Sequence, residues 1–342
     1  MKVAPNAVIR TNSGIRESLR QFLSSIAVQK ENPTQKDIIM FSCRRTGSTW
    51  LMECLGAEPG LRFINEPFGP KYINRSVLND RTEFKDFQKG HKFFQFDANI
   101  HQRVEDYLVD ARHTKICGPY DPTKPNFHFR YNRRLFKVLV VNPVIDFFFD
   151  QEDHYQFLYL LRHPIPTILS SFQLPRMPLL RYLEEDSFRD NHLDEEQIGY
   201  IKWLAEHGNE YQLWAAEWVL DQLVPWKYLR NHPDAAMFIS YEEMVASPRE
   251  SINKIAEYCD FQRPELILRE LNVPSASTTA EKFKQIGNTS AEEKLRAWRN
   301  KIDRNTQEQI FEVINRFGVD FYSLDSDMPS PQYMKTDGVS SI

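Results

Sequence analysis

Four apolar residues, Ile38-Ile39-Met40-Phe41, stand directly before a polar stretch, Ser42-Cys43-Arg44-Arg45-Thr46-Gly47-Ser48-Thr49, and Trp50-Leu51-Met52-Glu53-Cys54-Leu55 then reads as a helix. A short apolar run without polar alternation suits a parallel strand whose two faces are both covered. Such a strand needs neighbours, and further short runs occur at Leu61–Ile64, Lys115–Cys117, Phe157–Leu161 and Met237–Ser240, each separated from the next by helical or turn-rich sequence. Strands alternating with helices predict an α/β fold, a mostly parallel sheet flanked by helices on both faces in a single domain.

Helix signals fill the spaces between these runs. From Asn209 to Leu223, the residues Tyr211, Trp214, Ala215, Trp218 and Val219 share one aromatic and apolar helical face suited to core packing. Ser247-Pro248-Arg249-Glu250 combines an N-cap serine, proline at the first helical position and a following glutamate, ahead of Ile252, Ile255, Ala256 and Cys259. Asn305 to Glu308 repeats that capping logic before Ile310, Val313, Ile314 and Phe317, with Gly318 as a stop. Residues 1–36 are polar and weakly patterned, apart from a short helical signal around Ile15–Ile26, and read as an N-terminal arm. The domain is expected over 37–324, with 325–342 as a loose tail.

With 41% hydrophobic residues in 342, the chain can supply a sizeable core. Its 43 basic and 47 acidic residues give a net charge of −4, so no basic field points to nucleic acid, and any anion site must be local. Cys43, Cys54, Cys117 and Cys259 are irregularly spaced with no C-x-x-C pair, which fits buried free thiols in a reducing compartment. The nine histidines show no ligand spacing, so the site is expected to be metal-free. No apolar stretch is long enough for a membrane span, and the first 36 residues lack a signal-peptide core. A cytoplasmic protein without a membrane partner is expected.

The loop from Ser42 to Thr49 lies between strand and helix, where backbone N–H groups and the positive helix end converge on an anion. Against the nucleotide-triphosphatase pattern G-x-x-x-x-G-K-[ST], Gly47 and Thr49 match, Ser42 replaces the first glycine and Ser48 replaces the lysine. That lysine normally reaches the outer phosphates, so its loss argues against ordinary ATP or GTP hydrolysis. Arg45 instead brings a cation two residues before the glycine, and Ser48 and Thr49 add hydroxyls at the first helical turn. A helix end alone contributes ~0.3 to 1 kcal/mol, so charge-assisted bonds from Arg45 must supply much of the rest. The plainer reading of this loop is a tight turn with solvated arginines.

Arg45-Thr46-Gly47-Ser48-Thr49-Trp50-Leu51 resembles the 5′-phosphosulfate loop of sulfotransferases, [K/R]-[S/T]-G-[T/S]-[T/S]-x-[L/F]. A second stretch fits the same family. Leu158-Tyr159-Leu160-Leu161-Arg162-His163-Pro164, leading to Ser170, is similar to its 3′-phosphate motif, an arginine at a strand end and a serine eight positions on. Phe238-Ile239-Ser240-Tyr241-Glu242-Glu243-Met244 resembles its Y-E-D-L turn, and the resemblance runs from about Asp37 to Tyr322. It implies a P-loop-like fold and the donor 3′-phosphoadenylyl sulfate (PAPS), whose product is adenosine 3′,5′-bisphosphate (PAP). Arg44, Arg45, Thr46, Gly47, Ser48, Thr49, Trp50, Arg162 and Ser170 are then the donor-binding candidates, with Lys282 and Lys284 as weaker ones.

A base must take the acceptor's proton. Glu66, in Phe63-Ile64-Asn65-Glu66-Pro67-Phe68, follows the second predicted strand and should lie at the C-terminal edge of the sheet. The resemblance implies a glutamate base in the family's carbohydrate, tyrosyl and some bacterial branches, so Glu66 and Arg45 are the catalytic candidates. The cytosolic small-molecule branch carries K-x-H, whereas Lys115-Ile116-Cys117 has cysteine there, which disfavours His113. Phe63, Ile64 and Phe68 are expected to bury Glu66, and a carboxylate bonded to Arg44 or Arg45 is its structural alternative. Aromatic and basic residues between Pro70 and Asp153, including Phe93, Phe94, Tyr120, Phe127, Arg133, Arg134 and Phe147 to Phe149, are expected to contribute acceptor-pocket walls or core. The acceptor is read as a hydroxyl or amine of a small-molecule, natural-product or carbohydrate compound. The competing readings are a kinase-like phosphotransferase and a non-catalytic binding protein of the same fold.

Overall fold

Ile38 and Met40 belong to one buried apolar cluster with Leu51, Met52 and Leu55, whereas Ile39 and Phe41 belong to another with Phe148, Phe157 and Val219. That alternation is what a strand covered on both sides requires. The computed structural model describes residues 28–29, 35–68, 128–150, 153–271, 273 and 290–333. The expected Lys115–Cys117 strand, His113, Phe93, Phe94, Tyr120, Phe127, Lys282, Lys284 and the Ile15–Ile26 helix lie outside them.

Strands β1 (Asp37–Ser42), β2 (Leu61–Asn65), β3 (Arg133–Val138), β4 (Tyr155–Leu161) and β5 (Met237–Ser240) form a sheet in the order β2-β3-β1-β4-β5, every pairing parallel. A two-residue parallel pairing joins Val28–Gln29 to Arg130–Tyr131. Helix α1 (Ser48–Leu55) packs on one face of the sheet. On the other lie α2 (Ile145–Phe149), α3 (Pro164–Ser171), α4 (Leu180–Glu184), α5 (Asp186–His192), α6 (Glu195–His207) and α7 (Glu210–Asn231). After β5 come α8 (Tyr241–Ala246), α9 (Pro248–Cys259), α10 (Pro264–Glu270), α11 (Ala291–Arg296) and α12 (Arg304–Arg316). Of these, α9 and α10 share the face of α1, and α12 that of α7. No described helix is long and apolar enough to cross a membrane.

Strand β3 has no counterpart in the apolar runs of the sequence. Its residues Arg133-Arg134-Leu135-Phe136-Lys137-Val138 are all buried, although half of them are charged. The Arg133 guanidinium donates to the carbonyls of Lys36 and Cys259 and to Gln156, so its hydrogen bonds offset the desolvation that would otherwise exclude it. Arg133 and Arg134 are therefore sheet residues rather than pocket walls. Phe147, Phe148 and Phe149 are core, with Phe148 at 5.4 Å from Phe41 in an edge-on contact.

Caps differ in detail from the sequence pattern. Asn209 closes a capping box with Gln212 at the start of α7. Ser247 precedes α9 without a side-chain cap bond, and Asp303, through Thr306 N–H, caps α12 in place of Asn305. The tail expected to be loose from Asp325 is packed as far as Tyr333. There the ring lies 4.8 Å from that of Phe321, and the hydroxyl accepts from Trp226 Nε1 at 2.9 Å.

Glu242, 3% exposed, accepts hydrogen bonds from His163 N–H at 3.0 Å, Ser240 Oγ at 3.0 Å and Tyr322 OH at 2.6 Å, joining the ends of β4 and β5 to the C-terminal segment. His163 caps α3 by accepting from Ile165 N–H and stacks on Trp298 at 4.6 Å. Burial, then the nearby Arg299 and Arg162, pull its imidazole from 6.5 down to about 3. A depressed value means that below pH 6.5 the unfolded chain takes up a proton that the fold refuses, so stability falls as pH drops toward 3. The buried Glu242 carboxyl is shifted upward, chiefly by desolvation, so its contribution has the opposite sign and is lost as pH rises through its folded value. In denaturant melts at pH 7 and 5, His163→Asn should remove about 2 kcal/mol of the wild-type loss, at ~1.4 kcal/mol per pH unit. An unchanged pH slope in the variant would show that His163 is not its source.

Candidate active site

The parallel register brings the C-terminal ends of β1, β3 and β4 together: Ser42 pairs with Leu160, and Phe41 with Val138. Beside them, Asn65 pairs with Lys137 and Leu161 with Ser240. At such an edge, loops leave neighbouring strands in opposite directions and open a crevice.

The loop after β1 is braced from within. Thr46, fully buried, donates to Cys43 O at 2.9 Å and lies 2.6 Å from Ser42 Oγ. Arg45 has φ 69 and Gly47 φ 92, two left-handed residues in one short turn. Arginine in that conformation carries a backbone strain of about 1–3 kcal/mol, which persists only where the surroundings enforce it. Gly47 is enforced twice, because a Cβ there would meet Tyr241 Cδ2 at 2.8 Å. Ser48 opens α1 and is buried, and Thr49 Oγ1 accepts from Lys137 Nζ at 2.9 Å. Trp50 donates to Leu271 O at 3.3 Å and meets the Tyr241 ring edge-on at 5.8 Å.

The second sequence motif arrives at the same place. Arg162, at the end of β4, donates from Nη1 to Arg45 O at 3.1 Å and lies 4.3 Å over the Tyr241 ring. Its Nε is buried with no hydrogen-bond partner among the described residues. Arg45 Nε donates to Ser170 Oγ at 2.9 Å. The neighbouring Ser171 turns inward and donates to Thr167 O at 2.8 Å, so Ser170 is the serine that faces the crevice. Neither Arg45 nor Arg162 pairs with a carboxylate among the described residues. Arg44 differs: it donates to Glu217 Oε1 at 2.8 Å and to Pro175 O at 3.2 and 3.3 Å, so its guanidinium is engaged behind the loop.

Glu66 reaches the same edge from β2. Its N–H extends the ladder to Lys137 O at 2.8 Å, the chain turns there with φ 51, and Oε1 accepts from Lys137 Nζ at 2.8 Å. The burial expected from Phe63, Ile64 and Phe68 is not found, since the Glu66 side chain is 38% exposed. Those apolar groups are directed into the core, and the glutamate pairs with Lys137 instead of Arg44 or Arg45. Among the described residues, no group of His, Cys, Asp and Glu side chains is arranged to hold a metal ion.

A family model of the sulfotransferase domain matches residues 35–321. The chain belongs to the sulfotransferase family. Solved structures similar to this sulfotransferase include a sulfotransferase domain from the curacin biosynthetic pathway, at 15% identity and TM-score 0.43, covering 82% of this chain and 98% of that one. A mouse sulfotransferase complexed with PAP shows 14% identity, TM-score 0.38 and coverage of 85% and 86%. A retinol dehydratase complexed with androsterone and PAP shows 18%, 0.33, 90% and 85%. No curated protein matches the sequence.

Two residues of this sulfotransferase site escaped the sequence reading. Lys137 was hidden because its strand was, and a lone lysine in a basic stretch carries no signal until the strand is known to be buried. Tyr241 was visible only as part of a turn motif, and its contacts with Gly47, Trp50 and Arg162 are all distant in sequence. Gly47→Ala should destabilise the fold by at least ~1–2 kcal/mol from the positive φ alone. Adding Tyr241→Ala should relieve the steric part but not the backbone part. Thermal melts of the two variants test this, and a Gly47→Ala protein as stable as wild type would refute the strained turn.

Proposed function

We propose that this sulfotransferase uses PAPS as donor and transfers its sulfuryl group to a hydroxyl or amine of a small-molecule, natural-product or carbohydrate acceptor. The observation that carries the reading is the convergence of Arg45, Arg162 and Ser170, two cations without carboxylate partners and a hydroxyl, beside the N-terminus of α1. The unpartnered Nε of Arg162 also suits an anionic ligand. Thr46, Gly47, Ser48 and Thr49 would hold the 5′-phosphosulfate with backbone N–H groups and hydroxyls, Arg162 and Ser170 the 3′-phosphate, and Trp50 the adjoining nucleoside. Arg44, already engaged by Glu217, supports the loop from behind in this reading.

When bound, the donor supplies an activated sulfuryl group. The protein's part is positioning, charge and proton handling. Arg45 stabilises charge that grows on the departing side. Glu66 takes the acceptor's proton on Oε2, because Oε1 is occupied by Lys137. Lys137 fixes that carboxylate and Thr49 together, so the base and the donor loop keep one geometry. A reducing, cytoplasmic setting suits the buried free thiols of Cys43, Cys54 and Cys259.

Thermal shift with PAP against ATP tests the donor, and stabilisation by ATP alone would favour the kinase-like reading. Arg45→Ala and Arg162→Ala should each weaken PAP binding by about tenfold or more, the scale of a lost charge-assisted bond. Glu66→Gln should bind PAP as wild type does, yet transfer at least ~100-fold more slowly in a labelled-donor screen of alcohols, phenols, amines and sugars. Full turnover by Glu66→Gln would remove it from the mechanism.

A further inference from the structure

The sequence reading of α7 as a core helix leaves its polar residues without a role. Glu217 is 3% exposed and its two oxygens are divided between two segments: Oε1 accepts from Arg44 Nη2 at 2.8 Å and Oε2 from Met177 N–H at 3.1 Å. Arg44 also donates to Pro175 O at 3.2 and 3.3 Å. A residue away, Arg45 reaches Ser170 on α3 at 2.9 Å, and the chain runs on from Ser170 to Pro175 and Met177. The contacts form a closed ring: Arg45, Ser170, Pro175, Arg44 and back to Arg45, with Glu217 as the outer tie. Next to it, Gln222 Nε2 lies 2.7 Å from Cys43 Sγ, so α7 grips the root of the same loop a second time.

We infer that Glu217 is a positioning residue that fixes Ser170 relative to Arg45 and, through the bond of Arg162 to Arg45 O, relative to Arg162, and thereby sets the preference for a nucleotide carrying a 3′-phosphate. This rests on the donor reading above. The buried carboxylate holds Arg44 by charge and the Met177 backbone by a hydrogen bond; without it, Arg44 keeps the Pro175 carbonyl, but the segment after α3 loses its polar tie at Met177. The Arg45–Ser170 contact then loosens, Ser170 shifts relative to the loop and to Arg162, which donates to Arg45 O, and the two groups proposed for the 3′-phosphate no longer share one position. Arg44 Nη2 lies within hydrogen-bond distance of both Glu217 and Pro175 O, and Nη1 adds a second bond to Pro175; a lysine has one nitrogen on a differently directed stem and loses part of this set.

Isothermal titration of the full chain with PAP and with adenosine 5′-monophosphate tests this, because the two ligands differ by the 3′-phosphate. Wild type should prefer PAP. Glu217→Gln should lower the PAP-over-monophosphate ratio about tenfold, as expected when a charge-assisted bond that orients a binding group is lost. Arg44→Lys should do the same, and the double variant should lose little more than either single one. Should Glu217→Gln fail to fold, Arg44→Lys carries the test, since its side chain is only half-buried. A ratio unchanged in folded variants, or losses that add, would overturn the positioning role and leave the donor reading intact. Equal binding of both ligands by wild type would overturn the donor reading and this inference with it.

Discussion

Lys137 is an ammonium inside a strand of a sheet covered on both faces, with a side chain only 1% exposed. Taking such a charge out of water costs several kcal/mol unless its donors are satisfied. Glu66 and Thr49 satisfy two of them, one from the end of β2 and one from the first turn of α1. The strand interior thus dictates what its edge must look like: the glutamate has to come back over the sheet, which it does at a left-handed φ of 51 immediately before Pro67. Lys137 holds that residue at both ends, through its carbonyl to the Glu66 N–H and through its ammonium to the carboxylate. A strained residue gripped in this way stays where it is placed.

A second coupling runs through Tyr241. Its ring closes on Gly47 so tightly that no side chain fits there, supports the Arg162 guanidinium from below, and meets Trp50 edge-on. The residues proposed for the two anionic ends of the donor are therefore built around one aromatic plate. Ser240, at the end of β5, caps α8 by accepting from Glu242 and Glu243 N–H, and this orients the helix that begins with Tyr241. Sheet register, cap and plate form one continuous chain of cause.

Much of this was legible from local sequence. The β1 run, the loop and its glycine, the arginine ending β4 and the serine eight positions on are all short-range patterns, and the structure brings Arg45, Arg162 and Ser170 into contact. The illegible parts share a cause. Arg133, Arg134 and Lys137 kept β3 out of the apolar runs, because what allows charge inside a strand is a set of partners scattered from Lys36 to Cys259. Phe63, Ile64 and Phe68 suggest an enclosed Glu66, but Phe63 joins one core cluster and Ile64 and Phe68 the other, which leaves the glutamate at the edge. Arg44 and Arg45 are adjacent and chemically identical, and only the fold separates one bound to Glu217 from one that faces Ser170.

That separation bears on how a chain of net charge −4 would recognise the proposed polyanionic donor. At physiological ionic strength, charges beyond about 8 Å are largely screened, so the overall negative balance neither steers nor repels such a ligand strongly. What matters is the charge left over within the crevice. Glu217 neutralises Arg44 and Glu66 neutralises Lys137, whereas among the described residues Arg45 and Arg162 form no ion pair with a carboxylate. Two acids thus cancel the two cations that serve as scaffold and leave Arg45 and Arg162 without an ion-pair partner among the described residues. An anionic ligand entering there would meet these two arginines, while Arg44 and Lys137 are already paired.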